Sequence, residues 1–180
     1  MKNNKILLSS LLLMLVFLFS CTQKRTYRTD EEVAQFKEPL IKINKYLVKK
    51  DAEHIADYVK RRKWKMEVSK TGLWYMIYEK GSGSKSKIGQ VALLNYKIFL
   101  LDGTLCYSSD SLGAKTFAIG HGGVESGLEE GILLMHQGDK ARLIMPPYRA
   151  HGLLGDMNKI PARSIIVYEI ELLKLSKGSF

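Results

Sequence analysis

Cysteine is scarce in this sequence, since only Cys21 and Cys106 occur among its 180 residues. Two thiols allow one disulfide at most, so stability must come from packing and not from a disulfide framework. No Cys-His motif surrounds Cys106. We therefore expect Cys106 to be an apolar wall residue and not a nucleophile.

Signals for metal, cofactor and covalent chemistry are also missing from the sequence. The four histidines show no metal-ligand spacing with acids or thiols, so no metal is expected; they are His54, His121, His136 and His151. A Ser-His-Asp set, paired carboxylates and a Gly-rich phosphate loop are not found either. We expect no cofactor.

Acidic residues are fewer than basic ones, 18 against 28, which gives a formal charge of +10. Such basicity favours nucleic acid or an anionic membrane face as a partner. Here the basic residues are spread out and are not interleaved with stacking aromatics, which argues against nucleic acid. The densest cluster, from Lys60 to Lys65, is typical of a solvated helix end, with a lipid or partner contact as the alternative.

The sequence has no apolar run near its start that is long enough to span a bilayer. Met1 to Lys5 carries two lysines, Ile6 to Phe19 is apolar apart from two serines, and Ser20 and Cys21 follow. This order is typical of a secretory signal, and the apolar stretch is shorter than the roughly 20 residues that cross a membrane. Residues 1–20 are predicted to be a signal peptide, with an uncleaved membrane helix as the alternative.

The segment from Leu18 to Cys21 resembles the cleavage site of bacterial lipoproteins. The resemblance implies that the Cys21 thiol is lipidated and that Cys21 begins the mature protein. Two or more acyl chains on one residue anchor a protein stably without a spanning helix. We expect a protein of the cell envelope that is anchored to a membrane by lipid and faces the periplasm, the leaflet being undetermined.

Residues 21–67 are predicted to be a tether followed by a helical extension. Thr29 and Glu32 form a capping-box pattern, and Pro39 either kinks the helix or marks its start. A second short helix is predicted from Asp51, as its cap, to about Arg62. Apolar residues recur along the first helix at spacings of three and four, namely Val33, Phe36, Leu40, Ile43 and Leu47. This stripe needs a partner surface, either the main domain or a second copy of the chain in a homodimer.

Residues 68–180 are predicted to form the main domain. Four alternating segments read as strands, beginning near Leu73, Val91, Lys140 and Ile165, and Asp102-Gly103 reads as a hairpin turn. One amphipathic helix interrupts them, with Ser126 as its cap, Glu129 closing a capping box and Gly138 ending it. The predicted fold is α+β, a twisted and mostly antiparallel half-barrel sheet wrapped on that helix.

A series of short motifs runs through this region. They are Asp102-Gly103-Thr104, Gly127-Leu128-Glu129-Glu130-Gly131, Gly138-Asp139-Lys140-Ala141, Ala150-His151-Gly152 and Val167-Tyr168-Glu169-Ile170. In this order the motifs resemble the FKBP-type peptidyl-prolyl cis-trans isomerases, and the match runs from about Gly72 to Lys174. The lipoprotein signal, the helical extension and Leu134 to Gly138 are together similar to the gliding-motility-associated lipoprotein branch of that family.

The resemblance implies a pocket that accelerates rotation about Xaa-Pro bonds in polypeptide substrates. Position by position, the site residues it implies are Tyr96, Phe117, Val124, Glu125, Leu128, His151, Ile160 and Tyr168, with Cys106 and Tyr107 at the substrate-binding rim. The backbone N–H of Glu125 takes the place of the donor to the substrate carbonyl. Leu128 replaces the tryptophan of the pocket floor, and His151 replaces a tyrosine.

Two classes of function are compatible with these residues. One is a peptidyl-prolyl cis-trans isomerase that assists the folding or assembly of exported proteins at the envelope, where slow prolyl isomerisation limits folding. The other is a non-catalytic module that binds proline-containing peptides within a motility or secretion assembly. The substituted pocket edge keeps the second class open.

Replacing Cys21 with serine tests the N-terminal interpretation. Without the thiol there is no atom to accept the lipid, so Cys21→Ser is expected to leave the precursor uncleaved and to abolish lipid labelling in cells. Labelling that persists in the variant would show that the lipoprotein interpretation is wrong.

Overall fold

The computed structural model of the protein describes the backbone of residues 30 to 178 and, apart from residues 30–34 and 36, their side chains. The predicted signal peptide, Cys21, the cap at Thr29 and the side chains of Val33 and Phe36 lie outside this description. The chain divides into two compact units, Met1–Lys42 and Ile43–Phe180.

The extension contains one long helix, α1, over Asp30–Arg62. The prediction of two helices is wrong, because Asp51 lies within α1 and is not a cap. Its carboxylate instead accepts two hydrogen bonds from the Arg163 guanidinium, at 2.8 and 2.7 Å. Pro39 also lies inside the helix and does not begin it. Within the second unit, α1 packs through Ile55, Tyr58 and Val59 against Ile144, Ile165 and Val167.

The main domain is a seven-stranded sheet in which every strand pair is antiparallel. The strands are β1 Glu67–Val68, β2 Trp74–Glu79, β3 Gln90–Leu100, β4 Leu105–Ser108, β5 Lys115–Ala118, β6 Lys140–Met145 and β7 Ile166–Lys177. Their order is β1-β2-β6-β7-β3-β4, with β5 paired to β3. The turn predicted at Asp102-Gly103 is present between β3 and β4, where Gly103 has φ of 95° and the Asp102 side chain accepts a hydrogen bond from the Thr104 amide.

Alternation along β3 and β7 sends one set of side chains to the inner face of the sheet. On β3 the buried residues are Ala92, Leu94, Tyr96 and Ile98. On β7 they include Tyr168, Ile170 and Leu172. The neighbouring Val167 is buried on the opposite face, beneath Ile55 and Tyr58. Both faces of β7 are therefore covered, one by the core and one by the end of α1.

Besides α1, the elements outside the sheet are a short helix, a 3₁₀ turn and the helix that fills the concave side of the sheet. They are α2 Ser109–Leu112, the 3₁₀ turn Pro147–Arg149 and α3 Ser126–Leu134. Leu128 and Ile132 of α3 are fully buried in the main core. The architecture is α+β, as predicted, with the sheet wrapped on α3.

The ends of α3 differ from the prediction. Glu125 and not Ser126 is the N-cap residue, because the Leu128 and Glu129 amides donate to the Glu125 carbonyl and the Ser126 hydroxyl donates to the Arg149 carbonyl. The Glu129 side chain closes no capping box and accepts from the Gly122 amide. The helix ends at Leu134. Gly138 has the expected left-handed φ of 92°, but it lies in the turn that leads to β6.

Truncating one isoleucine of α1 tests the packing of this helix on the sheet. Ile55 is fully buried, so Ile55→Ala is expected to lower the free energy of unfolding by about 2 to 5 kcal/mol in urea titrations. Ile43→Ala removes the same atoms from a residue that is 54% exposed and is the matched control, with an expected change within about 0.5 kcal/mol. Equal effects of the two variants would contradict the packing described here.

Candidate functional site

One cluster of apolar and aromatic side chains lies between the inner face of the sheet, the start of α3 and the long connection from β6 to β7. The structure places six of the predicted site residues in it, namely Tyr96, Cys106, Phe117, Leu128, Ile160 and Tyr168, and packs Val124 and Tyr107 against it. The ring centroids of Tyr96 and Tyr168 are 6.3 Å apart, at an interplanar angle of 41°. Strand alternation on β3 and β7 directs both rings to the same face.

Tyr168 brings a hydroxyl group into this cluster although the residue is fully buried. The hydroxyl donates to Glu125 Oε1 at 2.7 Å and accepts from Lys115 Nζ at 3.3 Å. Burial, followed by the neighbouring Glu125 carboxylate, raises the pKa of Tyr168 well above its usual value. The phenol therefore stays neutral and serves as a donor to Glu125.

The Glu125 side chain points inward and is only 8% exposed. Besides Tyr168, its carboxylate has two basic neighbours. Lys115 Nζ lies 3.9 Å from Oε2, and His151 Nε2 lies 3.1 Å from Oε1. Neither contact has the geometry of a hydrogen bond. Oε2 and the imidazole Nε2 are therefore both buried without a hydrogen-bond partner in the described part of the chain. The cluster thus has one polar wall.

Lys115 is held above the two tyrosine rings that frame the cluster. Its Nζ lies 5.1 Å from the Tyr96 centroid and 5.8 Å from the Tyr168 centroid, within cation–π range. An ammonium group at this distance partly offsets the charge of the buried Glu125 carboxylate. Lys115 is not predicted as a site residue, because nothing in its local sequence marks a lysine of β5 as facing inward.

A cavity of about 440 Å³ opens beside this polar wall. Its lining consists of Lys115, Gly123, Val124, Glu125, Ala150 and His151. The space is large enough for one or two side chains of a peptide. His151 and Glu125, which were predicted as site residues, therefore face the same opening.

The predicted rim is built differently from the expectation. Cys106 is buried beneath it, where its thiol contacts the Lys159 carbonyl at 3.5 Å. Burial, with a smaller contribution from Asp156, raises the pKa of the Cys106 thiol, which keeps the thiol neutral. Tyr107 donates its hydroxyl to Asp156, and this bond raises the pKa of Tyr107.

Asp156 organises the loop that delivers Ile160 to the cluster. Its Oδ1 accepts from the backbone N–H groups of Asn158 and Ile160, at 2.9 and 2.8 Å. Burial acts to raise the pKa of Asp156, but the bonds from Tyr107 and from the two amides together hold it below its usual value. The Asp-Met-Asn segment at 156–158 is a turn signal that sequence reasoning missed.

The Gly155 backbone leaves no room for a side chain in this loop. A Cβ atom there would lie 2.2 Å from the Ile160 carbonyl, and φ is 72°. At the far end, Arg163 donates its amide to the Gly152 carbonyl and its guanidinium to Asp51 of α1. The loop that carries His151 and Ile160 is thus fixed at both ends. Within residues 30 to 178, no group of three or more His, Cys, Asp or Glu side chains is arranged to hold a metal ion.

Comparison with known proteins identifies relatives for this region. A family model described as FKBP-type peptidyl-prolyl cis-trans isomerase matches residues 82–173. Peptidyl-prolyl cis-trans isomerase FKBP9 of Rattus norvegicus is 39% identical over 95 residues, 52% of this chain and 16% of its own length. FKBP-type peptidyl-prolyl cis-trans isomerase FkpA of Aeromonas hydrophila is 30% identical over 167 residues, 86% of this chain and 60% of its own. The chain thus spans less than two thirds of the length of these relatives.

Solved structures of FKBP proteins also superpose on this chain. AtFKBP13 superposes with a TM-score of 0.58 at 30% identity, over 61% of this chain and 98% of its own. FkpA from Escherichia coli gives the same TM-score at 26% identity, over 94% of this chain and 82% of its own. The likeness to FKBP structures covers both the sheet and α3. The gliding-motility branch stays a prediction.

Removing the Tyr168 hydroxyl tests the hydrogen bond that it donates to Glu125. Tyr168→Phe leaves a buried carboxylate oxygen without its donor and is expected to lower the free energy of unfolding by about 1 to 3 kcal/mol. Replacing both partners, in Tyr168→Phe with Glu125→Leu, removes the unpaired acceptor and is expected to recover most of that loss. Urea unfolding of the two single variants and the double variant measures the coupling. Additive losses would show that the hydrogen bond is absent in solution.

Proposed function

The chain belongs to the FKBP-type peptidyl-prolyl cis-trans isomerase family, and on that premise we propose that it accelerates rotation about Xaa-Pro bonds in polypeptides. The observation that carries the proposal is the cluster of Tyr96, Phe117, Leu128, Ile160 and Tyr168 beside an open cavity. A prolyl ring is apolar and fits walls of this kind. Each of these side chains is held by a strand, by α3 or by the loop anchored through Asp156.

The reaction needs no bond to be made or broken. Rotation is slow because partial double-bond character gives the amide a barrier of about 18 to 20 kcal/mol. The planar amide is more charge-separated than the twisted one, so an apolar pocket disfavours the ground state. Donors aimed at the displaced carbonyl stabilise the twisted state further. We assign these donors to the backbone N–H of Glu125 and to the His151 ring.

The roles follow from position. Leu128, fully buried on α3, forms the floor, and Tyr168 and Tyr96 form the walls on which the prolyl ring packs. Val124 precedes the donor position, and Tyr107 contributes indirectly, by holding Asp156 and through it Ile160. No cofactor is needed, because the pocket acts on the amide directly.

A second candidate is a module that binds proline-containing peptides without useful turnover, as part of a motility or secretion assembly. The inward Glu125 side chain favours this candidate, since a carboxylate in the pocket opposes the apolar environment that promotes twisting. Binding and catalysis use the same walls and differ only in their preference for the twisted state.

We further propose that residues 1–20 direct export and that lipid on Cys21 anchors the protein to a membrane of the envelope. Residues 21–67 then carry the isomerase domain, residues 68–180, away from the periplasmic face of that membrane. Among residues 30 to 178 no helix combines the length and apolarity needed to cross a membrane. On α1, Leu40, Ile43 and Tyr46 are exposed. Their exposure supports a homodimer through the helical extension. The substrates would then be exported proteins that fold or assemble at the envelope.

Isomerisation is tested with the full-length protein in detergent, on several Xaa-Pro peptides and on a protein whose refolding is limited by proline. The wild type is expected to accelerate both. Tyr168→Ala opens a cavity beside the prolyl ring and is expected to remove most of the rate. His151→Phe loses one hydrogen bond, or about 1 to 2 kcal/mol, which lowers kcat/KM about tenfold.

Two controls accompany these variants. Tyr78→Ala truncates a half-exposed tyrosine outside the cluster and is expected to keep the wild-type rate. Circular dichroism establishes that each variant is folded before its rate is compared. A folded wild type that binds the peptides without accelerating them would support the binding module instead.

A further inference from the structure

The side chain of Glu125 has a hydrogen-bonding capacity that the folded chain does not use. Only 8% of the side chain is exposed, and Oε1 accepts from the Tyr168 hydroxyl. Oε2 is buried without a hydrogen-bond partner in the described chain, and Glu125 is one of the residues that line the cavity of about 440 Å³. Leaving a buried charged acceptor unpaired is unfavourable, so a ligand that brings a donor to Oε2 gains what the protein lacks.

We propose that Glu125 determines substrate specificity, its carboxylate accepting a hydrogen bond from a lysine or arginine side chain adjacent to the substrate's proline. This inference rests on the proposed isomerase function, because it assumes that a prolyl ring occupies the neighbouring cluster. The cavity beside Glu125 then receives the side chain that flanks the ring.

The other charges around the cavity do not satisfy Oε2. Lys115 Nζ is 3.9 Å away, too far for a hydrogen bond, and it is already directed at the Tyr168 hydroxyl and above two aromatic rings. His151 Nε2 approaches the other oxygen, Oε1. Asp156 interacts electrostatically with His151 and is not among the residues that line the cavity. Glu125 is the one carboxylate of that lining, and its Oε2 keeps an unused position for a donor of a ligand cation.

The chemistry of this wall ranks three classes of substrate. A basic side chain donates to Oε2 and is favoured. A neutral aliphatic side chain leaves Oε2 unpaired, and an acidic side chain is repelled. Because a hydrogen bond to a charged group is a strong one, we expect kcat/KM for a Lys-Pro peptide to exceed that for a Leu-Pro peptide about tenfold, with Glu-Pro the poorest.

The test uses the full-length protein in detergent and peptides that differ only in the residue next to proline, lysine, leucine or glutamate, with that residue placed before proline in one series and after it in the other. Glu125→Gln keeps an oxygen for the Tyr168 hydroxyl and keeps the backbone N–H, but loses the charge. The Lys-to-Glu ratio of kcat/KM is expected to fall close to one in this variant, mainly through KM. Lys115→Met removes the nearest competing cation and is expected to raise the ratio.

Glu79→Gln is the matched control, since Glu79 is an exposed carboxylate on β2 that pairs with Lys140, and its ratio is expected to equal that of the wild type. Equal rates for the three peptides, or a ratio that survives Glu125→Gln, would overturn the specificity role while leaving the isomerase proposal intact. No acceleration of any peptide by the folded wild type would instead refute the proposed function on which this inference rests.

Discussion

The close approach of α3 to the sheet is the constraint on which the site depends. A Cβ atom at Gly131 would lie 2.3 Å from the Leu143 side chain, and one at Gly127 would lie 2.8 Å from the Met145 sulfur. Only glycine lets the helix pack this tightly against β6. This packing sets the depth of Leu128 in the core and brings the N-terminal end of α3, with Glu125, over Tyr168 of β7. Any larger residue at these two positions would have to displace a buried side chain of β6.

The parts of the fold that follow from local periodicity could be predicted from the sequence. The buried alternation of β3, the glycine turn at 103 and the apolar face of α3 are each recorded in neighbouring residues. Where the predictions are wrong, the deciding partner is distant in sequence. Asp51 resembles a cap, but Arg163 binds it inside a continuous helix. Ser126 resembles a cap as well, but its hydroxyl is taken by the Arg149 carbonyl.

The candidate site likewise contains residues that could be predicted from the sequence and residues that could not, because their contacts are distant in sequence. The aromatic walls were found through a resemblance to a family whose motifs fix their positions, and the structure gathers them into one cluster. Lys115 and Asp156 were missed, because each acts through a contact with a residue about fifty positions away, Tyr168 and Tyr107 respectively. The inward turn of the Glu125 side chain has the same origin. Its donor, Tyr168, lies 43 residues further along the chain.

Glu125 and Tyr168 form a buried polar pair beside the apolar cluster. A buried carboxylate alone is strongly unfavourable, and a buried phenol hydroxyl needs a partner, so each residue makes the other tolerable. Replacing such a buried polar pair with well-packed apolar residues is often neutral or stabilising. The pair is therefore not required for the stability of the fold. What it adds is chemical, since it places one acceptor without a hydrogen-bond partner, Oε2, in a residue that lines the cavity. In the proposed function the apolar walls select proline, and in the proposed specificity role this acceptor selects the residue beside the proline.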